Sequence, residues 1–244
     1  MKKICLKITY DGTNYSGWQR QENAVSVQQI IENSIEKLTK SKTSIVGASR
    51  TDAGVHAFDQ TACFETSSNI PADKFALALN TILPDDIRIK TSYEVPNDFH
   101  PIKSSKFKTY QYKIFNEQYS SAIYRNISYH VPYKLNINAM NDAAQILIGI
   151  HDFKAFQAAG SSAKTSIRTI YSSKVECKDC FIIYSVKGDG FLYNMVRIIV
   201  GTLVEIGKGK LKTENIEKAL KSGNRIDLGP TAPAKGLILL KIDY

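Results

Sequence analysis

The sequence predicts an α+β protein made of two sheet-and-helix halves with a largely antiparallel mixed sheet. Three observations predict it. Short stretches alternate apolar and polar residues, as half-buried strands do. Between them, apolar residues recur at helical spacing. The order strand, helix, loop, strand, helix, strand fills roughly the first hundred residues and returns loosely in the second half. A chain of 244 residues is long enough for one large domain or two of ordinary size.

The elements follow in order. Ile4, Leu6, Ile8 and Tyr10 mark a strand that stops at Asp11-Gly12. Ser26 and Gln29 form a capping box, and Val27, Ile30, Ile31, Ile35 and Leu38 continue it as a helix. A polar stretch over 47–60 precedes a strand around 60–65. Pro71 opens a second helix carrying Phe75, Leu77, Leu79 and Ile82, and 85–91 reads as a strand. In the second half, 110–115 alternates as a strand and 138–148 reads as a helix with Met140, Ala144, Ile146 and Leu147. Residues 167–177 and 180–187 predict a hairpin. A strongly apolar helix spans about 191–206, a short helix follows Thr213, and 237–242 closes as a strand. The expected halves are 1–104 and 105–244, divided in the basic, serine-containing stretch 101–108. A cleft between two such halves is a natural binding place.

Net charge is +9 and the sequence pI is near 9.2, which favours a polyanionic partner such as nucleic acid. The N-terminus alternates and lacks the unbroken apolar run of a signal peptide, and no run approaches the roughly 18–20 apolar residues of a membrane span. These features predict a cytoplasmic protein without membrane attachment. Cys177-Lys-Asp-Cys180 is a CxxC, yet Cys5 and Cys63 are isolated and no paired histidine lies nearby. The pair therefore reads as two reduced thiols beside a turn.

Four stretches are candidates for chemistry. Gly47-Ala-Ser-Arg-Thr-Asp-Ala-Gly-Val-His56 is polar, with Asp52 flanked by Arg50 and His56; on its own it reads as a turn. Lys106-Phe-Lys-Thr-Tyr110-Gln-Tyr112-Lys113 interleaves cations and aromatics. That mixture suits RNA phosphates and unpaired bases, or a strand with one aromatic and one charged face. Lys187–Arg197 feeds a glycine-rich turn into the apolar helix, where Arg197, if buried, needs a carboxylate partner. Asp52 is one candidate for that partner; the alternatives are that Arg197 reaches solvent or pairs locally with Glu205. Gly229-Pro-Thr-Ala-Pro-Ala-Lys-Gly236 is a rigid loop, either a connector or the wall of a site. No metal set, P-loop or dinucleotide fingerprint appears, so neither a metal nor a nucleotide cofactor is expected. What remains is a carboxylate, an arginine and an aromatic side chain, which suit chemistry at a sugar C1′ or on a nucleobase.

These residues resemble the TruA family of tRNA pseudouridine synthases. Ser49-Arg-Thr-Asp52-Ala-Gly-Val-His-Ala57 is similar to its GRTDxGVHA signature, and Lys108-Thr-Tyr110-Gln-Tyr112 to its basic-x-Tyr-x-Tyr motif. Gly190-Phe-Leu-Tyr-Asn-Met-Val-Arg197 resembles its GxxFLxxMVR helix, and Gly229–Leu237 its C-terminal motif. Tyr10-Asp-Gly12 with Gly17-Trp-Gln19, Leu83-Pro-Asp85-Asp86, Phe99-His100 and His151-Asp-Phe153 also fit, so the resemblance runs end to end. Ser49 stands where the family usually has Gly. After His100 the family's usual Ala-Arg-Phe-Ser-Ala is replaced by Pro101-Ile-Lys-Ser-Ser105, which leaves Lys103 or Lys106 as substitutes for the missing arginine.

The resemblance implies the pseudouridine synthase fold with a central basic cleft. It implies conversion of uridine to pseudouridine at positions 38, 39 and 40 of the tRNA anticodon stem-loop, a homodimer, and no cofactor. It assigns Asp52 to the ribose, where it either attacks C1′ or removes a ribose proton to give a glycal. Tyr110 would stack on the base, Arg197 would keep Asp52 ionised, and Arg50, His56 and Leu237 would lie on the substrate side. The target nucleotide must leave the helix stack to expose the reacting atoms. Rival readings are an RNA-binding module that needs no Asp52, a nuclease or glycosylase, and a sibling synthase acting at other RNA positions.

Overall fold

The structure, a computed structural model, describes residues 1–160 and 163–244. Its elements are β1 (Lys2–Tyr10), α1 (Val27–Thr39), β2 (Val46–Gly47), β3 (His56–Thr66), α2 (Phe75–Asn80), β4 (Ile87–Val95), β5 (Phe107–Phe115), β6 (Tyr129–His130), α3 (Ile137–Gln145), β7 (Gly149–Asp152), β8 (Ile167–Lys178), β9 (Phe181–Gly188), α4 (Met195–Gly207), α5 (Glu214–Ser222) and β10 (Leu237–Asp243). This mixture of sheet and helix is the expected α+β class. The chain groups into two compact units, Met1–Lys106 with Ile238–Tyr244, and Phe107–Leu237. The last seven residues thus join the first unit, because β10 pairs in parallel with β3, Ile238 facing His56 and Leu239 facing Ala57. Sequence order alone does not reveal such a pairing.

In the first unit the strand order is β4-β1-β3-β10, with β2 paired to β3. β1 is central, antiparallel to both β3 and β4. Its inward residues Ile4, Leu6 and Ile8 are completely buried, as the alternation requires. α1 lays Val27, Ile31 and Ile35 into the core and is capped by Ser26, whose side chain accepts from the Gln29 N–H.

In the second unit the order is β5-β9-β8-β7, with β6 added to β5 in parallel. β8 and β9 form the expected hairpin, turning at Asp179-Cys180 with Asp179 at φ +55°. Cys177 and Cys180 are free thiols at its tip. The apolar helix begins later than its composition suggests. Residues up to Asn194 form an irregular approach, and Asn194 itself sits in the left-handed region at φ +59°. From there α4 is buried almost all round, which explains its lack of amphipathic pattern. The short strands β2, β6 and β7 lie where the sequence carries no sustained alternation.

Candidate active site

The polar stretch over 47–60 folds as a tight turn followed by β3. Val55 N–H donates to the Asp52 carbonyl at 3.1 Å, and Gly54 adopts φ +76°. Asp52 is half-buried, Arg50 is exposed, and Thr51 is buried between them. Both arms of the turn are held by the end of β1 and the segment that follows it. Trp18 N–H donates to the Thr51 carbonyl at 3.0 Å, and the Tyr10 hydroxyl shares a 2.7 Å hydrogen bond with Thr51 Oγ1. Gly54 N–H donates to the Tyr15 carbonyl at 3.2 Å. Gly17, at φ +85°, lies so close that a Cβ there would come within 2.5 Å of the Thr51 carbonyl oxygen. The carboxylate of Asp52 is therefore presented from a backbone with little freedom.

His56 stands at the exit of the turn and is 4% exposed. Its Nδ1 lies 3.0 Å from Asp11 Oδ1 and 3.1 Å from the Gly12 amide nitrogen. Burial works against ionisation of Asp11. Hydrogen bonds from the Thr13 hydroxyl and N–H, together with His56, outweigh it and hold the carboxyl below its ordinary pKa. Burial, and then the hydrogen bond that Tyr15 donates to Asp86 Oδ1 at 2.5 Å, push its phenol far above the usual range. Ser49, the departure from the family signature, is buried, and its backbone is paired with the carboxamide of Gln60.

In the second unit, β5 alternation places Lys108, Tyr110 and Tyr112 on one face and Phe107, Thr109 and Gln111 on the other. The strand thus does not divide into an aromatic face and a charged face. Tyr110 is 6% exposed and meets Phe191 edge to face, centroids 5.1 Å apart. Burial, followed by the charge of Arg168, lowers the Lys108 pKa to about 8. On the opposite face, the Lys187 ammonium lies 4.4 Å from the Phe107 ring centroid.

Arg197 is half-buried on α4. Its Nε donates to the Ala232 carbonyl at 2.8 Å and one terminal nitrogen to Asn194 Oδ1 at 2.7 Å. The Arg197 carbonyl in turn accepts from Ala232 N–H at 3.0 Å. Glu205, the local partner weighed from sequence, instead pairs with Lys208 at 2.9 Å and Lys210 at 3.8 Å, because it lies two turns further along the helix. The proline-rich loop is clamped to the same helix. Gly229 N–H donates to Thr202 Oγ1 at 3.0 Å, and a Cβ on Gly201 would stand 1.7 Å from the Pro230 carbonyl oxygen. Leu237 follows this loop, buried at the start of β10.

The six residues named from sequence fall into two sets. Arg50, Asp52 and His56 share the turn of the first unit; Tyr110, Arg197 and Leu237 belong to the second. Sequence reasoning did not assign roles to Asp11, Gln60 or Asn194. Asp11 lies in the Tyr10-Asp-Gly12 motif and Asn194 in the Gly190–Arg197 motif, three residues before Arg197, its partner; Gln60 carries no local signal, since its partner Ser49 is brought to it by the fold.

The model of the family described as tRNA pseudouridine synthase matches residues 7–102 and 143–244. The tRNA pseudouridine synthase A of Acetivibrio thermocellus is 52% identical over 244 residues, covering all of both chains. Those of Ruminiclostridium cellulolyticum and Thermoanaerobacter pseudethanolicus are 50% identical over 245 residues and 48% over 244, again over both full lengths. The chain belongs to the tRNA pseudouridine synthase family, and its activity is the isomerisation of uridine in tRNA. No helix among the described residues is long and apolar enough to cross a membrane.

Proposed function

We propose that the protein converts uridine to pseudouridine at positions 38, 39 and 40 of the tRNA anticodon stem-loop, with Asp52 as the reacting carboxylate. The observation that carries this reading is the Asp52 turn, whose two arms are pinned by Trp18, Tyr10 and Tyr15. A carboxylate held this way needs little reorganisation to meet C1′ of a flipped nucleotide. The N1–C1′ bond breaks, uracil rotates, and C5 bonds to C1′. The C5 proton leaves and N1 gains one, so composition is conserved. Asp52 either attacks C1′ or takes a ribose proton. Tyr110 stacks on the base and assists loss of the C5 proton. Arg197 keeps Asp52 ionised, and Arg50 and Leu237 contact the substrate.

The charge distribution supports a polyanion on the second unit, where residues 107–237 hold 18 Lys and Arg against 10 Asp and Glu. Action as a homodimer in the cytoplasm completes the reading. The test is tritium release from RNA labelled at uracil C5, with separate stem-loops carrying U38, U39 or U40. Asp52→Asn is expected to abolish release while tRNA binding survives. Full turnover by that variant, or release only from other positions, overturns the assignment.

A further inference from the structure

Asp11 and His56 meet beside the Asp52 turn. Their geometry suggests a shared task. His56 is the first residue of β3, directly after the turn that carries Asp52. Its ring is buried, and Nδ1 points back at the segment following β1 rather than outward. That one nitrogen has two neighbours, Asp11 Oδ1 at 3.0 Å and Gly12 N at 3.1 Å. It cannot serve both in the same state. Without a proton it accepts from the Gly12 N–H; with one it donates to the Asp11 carboxylate. Asp11 and Gly12 are adjacent, so either state ties His56 to the same place.

The place matters because Gly12 is the floor of the turn. A Cβ on Gly12 would lie 2.0 Å from the Val55 carbonyl oxygen, so the chain at Gly12 and the exit of the turn are in direct contact. Asp11 is itself fixed. Thr13 N–H and Oγ1 donate to Oδ1 at 2.9 and 2.5 Å, and Asp11 N–H donates to the Asp86 carbonyl at 2.9 Å. Asp11 also acts on Tyr15, whose phenol donates to Asp86; the Tyr10 hydroxyl bonds Thr51 within the turn, and Ile238 of β10 lies opposite His56.

We infer that Asp11 and His56 form a positioning pair for the Asp52 turn, one that holds the turn in register whether or not the imidazole carries a proton. This rests on Asp52 being the reacting carboxylate. Neither residue touches the reacting atoms; His56 acts as a strut and not as an RNA contact.

The experiment measures single-turnover tritium release with saturating enzyme at about pH 5.5 and about pH 8.5, which bracket the range where imidazoles change charge. Asp11→Asn keeps the acceptor for Thr13 and removes the charge that meets a protonated His56. Its rate relative to the unmodified protein is expected to fall about fivefold at the lower pH and stay within about twofold at the higher. His56→Ala is expected to lose rate at both, and the tRNA Kd of each variant is expected to stay unchanged. Equal losses for Asp11→Asn at the two pH values, a wild-type rate at both, or a change confined to Kd overturns the pair. Thermal melts at both pH values accompany the rates, and a fall in rate that merely follows a fall in folded fraction also overturns it. Asp52→Asn runs in parallel. If it retains turnover, the reading of Asp52 fails; if it is inactive and Asp11→Asn is normal throughout, only the positioning pair fails.

Discussion

Gln60 pairs with both backbone groups of Ser49. Its Nε2 donates to the Ser49 carbonyl at 2.6 Å, and its Oε1 accepts from Ser49 N–H at 3.2 Å and from Thr61 N–H at 3.2 Å. Gln60 is wholly buried. The entry to the Asp52 turn is thus held by a side chain on β3 that imitates a neighbouring strand. Leucine at this position removes the pairing and strands buried donors and an acceptor, each costing about 1–3 kcal/mol. Gln60→Leu is expected to lower Tm by several degrees and to reduce turnover. A Tm within a degree of the unmodified protein would sink the argument.

The same relationship shows how serine is accommodated at position 49. Ser49 has no positive φ, and it is held through its backbone. Ser49→Gly is expected to keep turnover within about twofold and to lose a few tenths of a kcal/mol through added freedom of the unfolded chain. Tritium release and a denaturant midpoint check both.

The contrast between Asp52 and its supports shows what a sequence makes legible. The turn was readable because Thr, Asp, Ala and Gly in a row specify a local conformation. β1, α1, the β8–β9 hairpin and β10 were readable because burial of one face imposes a period on nearby residues. The partners that hold the turn were not readable. Gln60 sits eleven residues from Ser49, and Trp18 more than thirty from Thr51; both act on backbone groups that present no side-chain pattern. The late start of α4 was hidden for a related reason. Phe191 and Leu192 continue the apolar composition of the helix, while the break is made by Asn194 in the left-handed region.

Arg197 carries a structural load that its proposed charge role does not describe. Its guanidinium ties the Ala232 carbonyl and the Asn194 side chain, and its own carbonyl holds Ala232 N–H. Arg197→Met keeps the packing of the stem and removes the guanidinium bonds to Ala232 and Asn194, so a loss of about 1–3 kcal/mol is expected in addition to collapse of turnover. Arg197→Lys retains the charge without the planar fork that reaches two acceptors in different directions. It is expected to recover part of the activity and less of the stability. If the methionine variant melts like the unmodified protein, the guanidinium bonds contribute nothing to the loop.

Lys108 is a half-buried cation on β5, beside Tyr110 on the same face. Burial, then the charge of Arg168, lowers its pKa in the folded protein to about 8, against an ordinary lysine value of 10.5. Below about pH 8 the folded and unfolded chains both hold the proton, and the folded state bears the cost of a half-buried cation. Between about 8 and 10.5 the unfolded chain binds the proton and the folded chain does not, so stability rises with pH. Above that range both forms are neutral and the cost has gone. Lys108→Met is therefore expected to raise Tm at about pH 7, with the gain shrinking steadily toward pH 10.5. A cation retained at such a cost, two residues from Tyr110 and on its face, fits contact with an RNA phosphate, so the same variant is expected to bind tRNA more weakly. Melts across the pH range and a filter-binding isotherm decide it. A Tm gain that does not depend on pH would show that methionine simply packs better than lysine there.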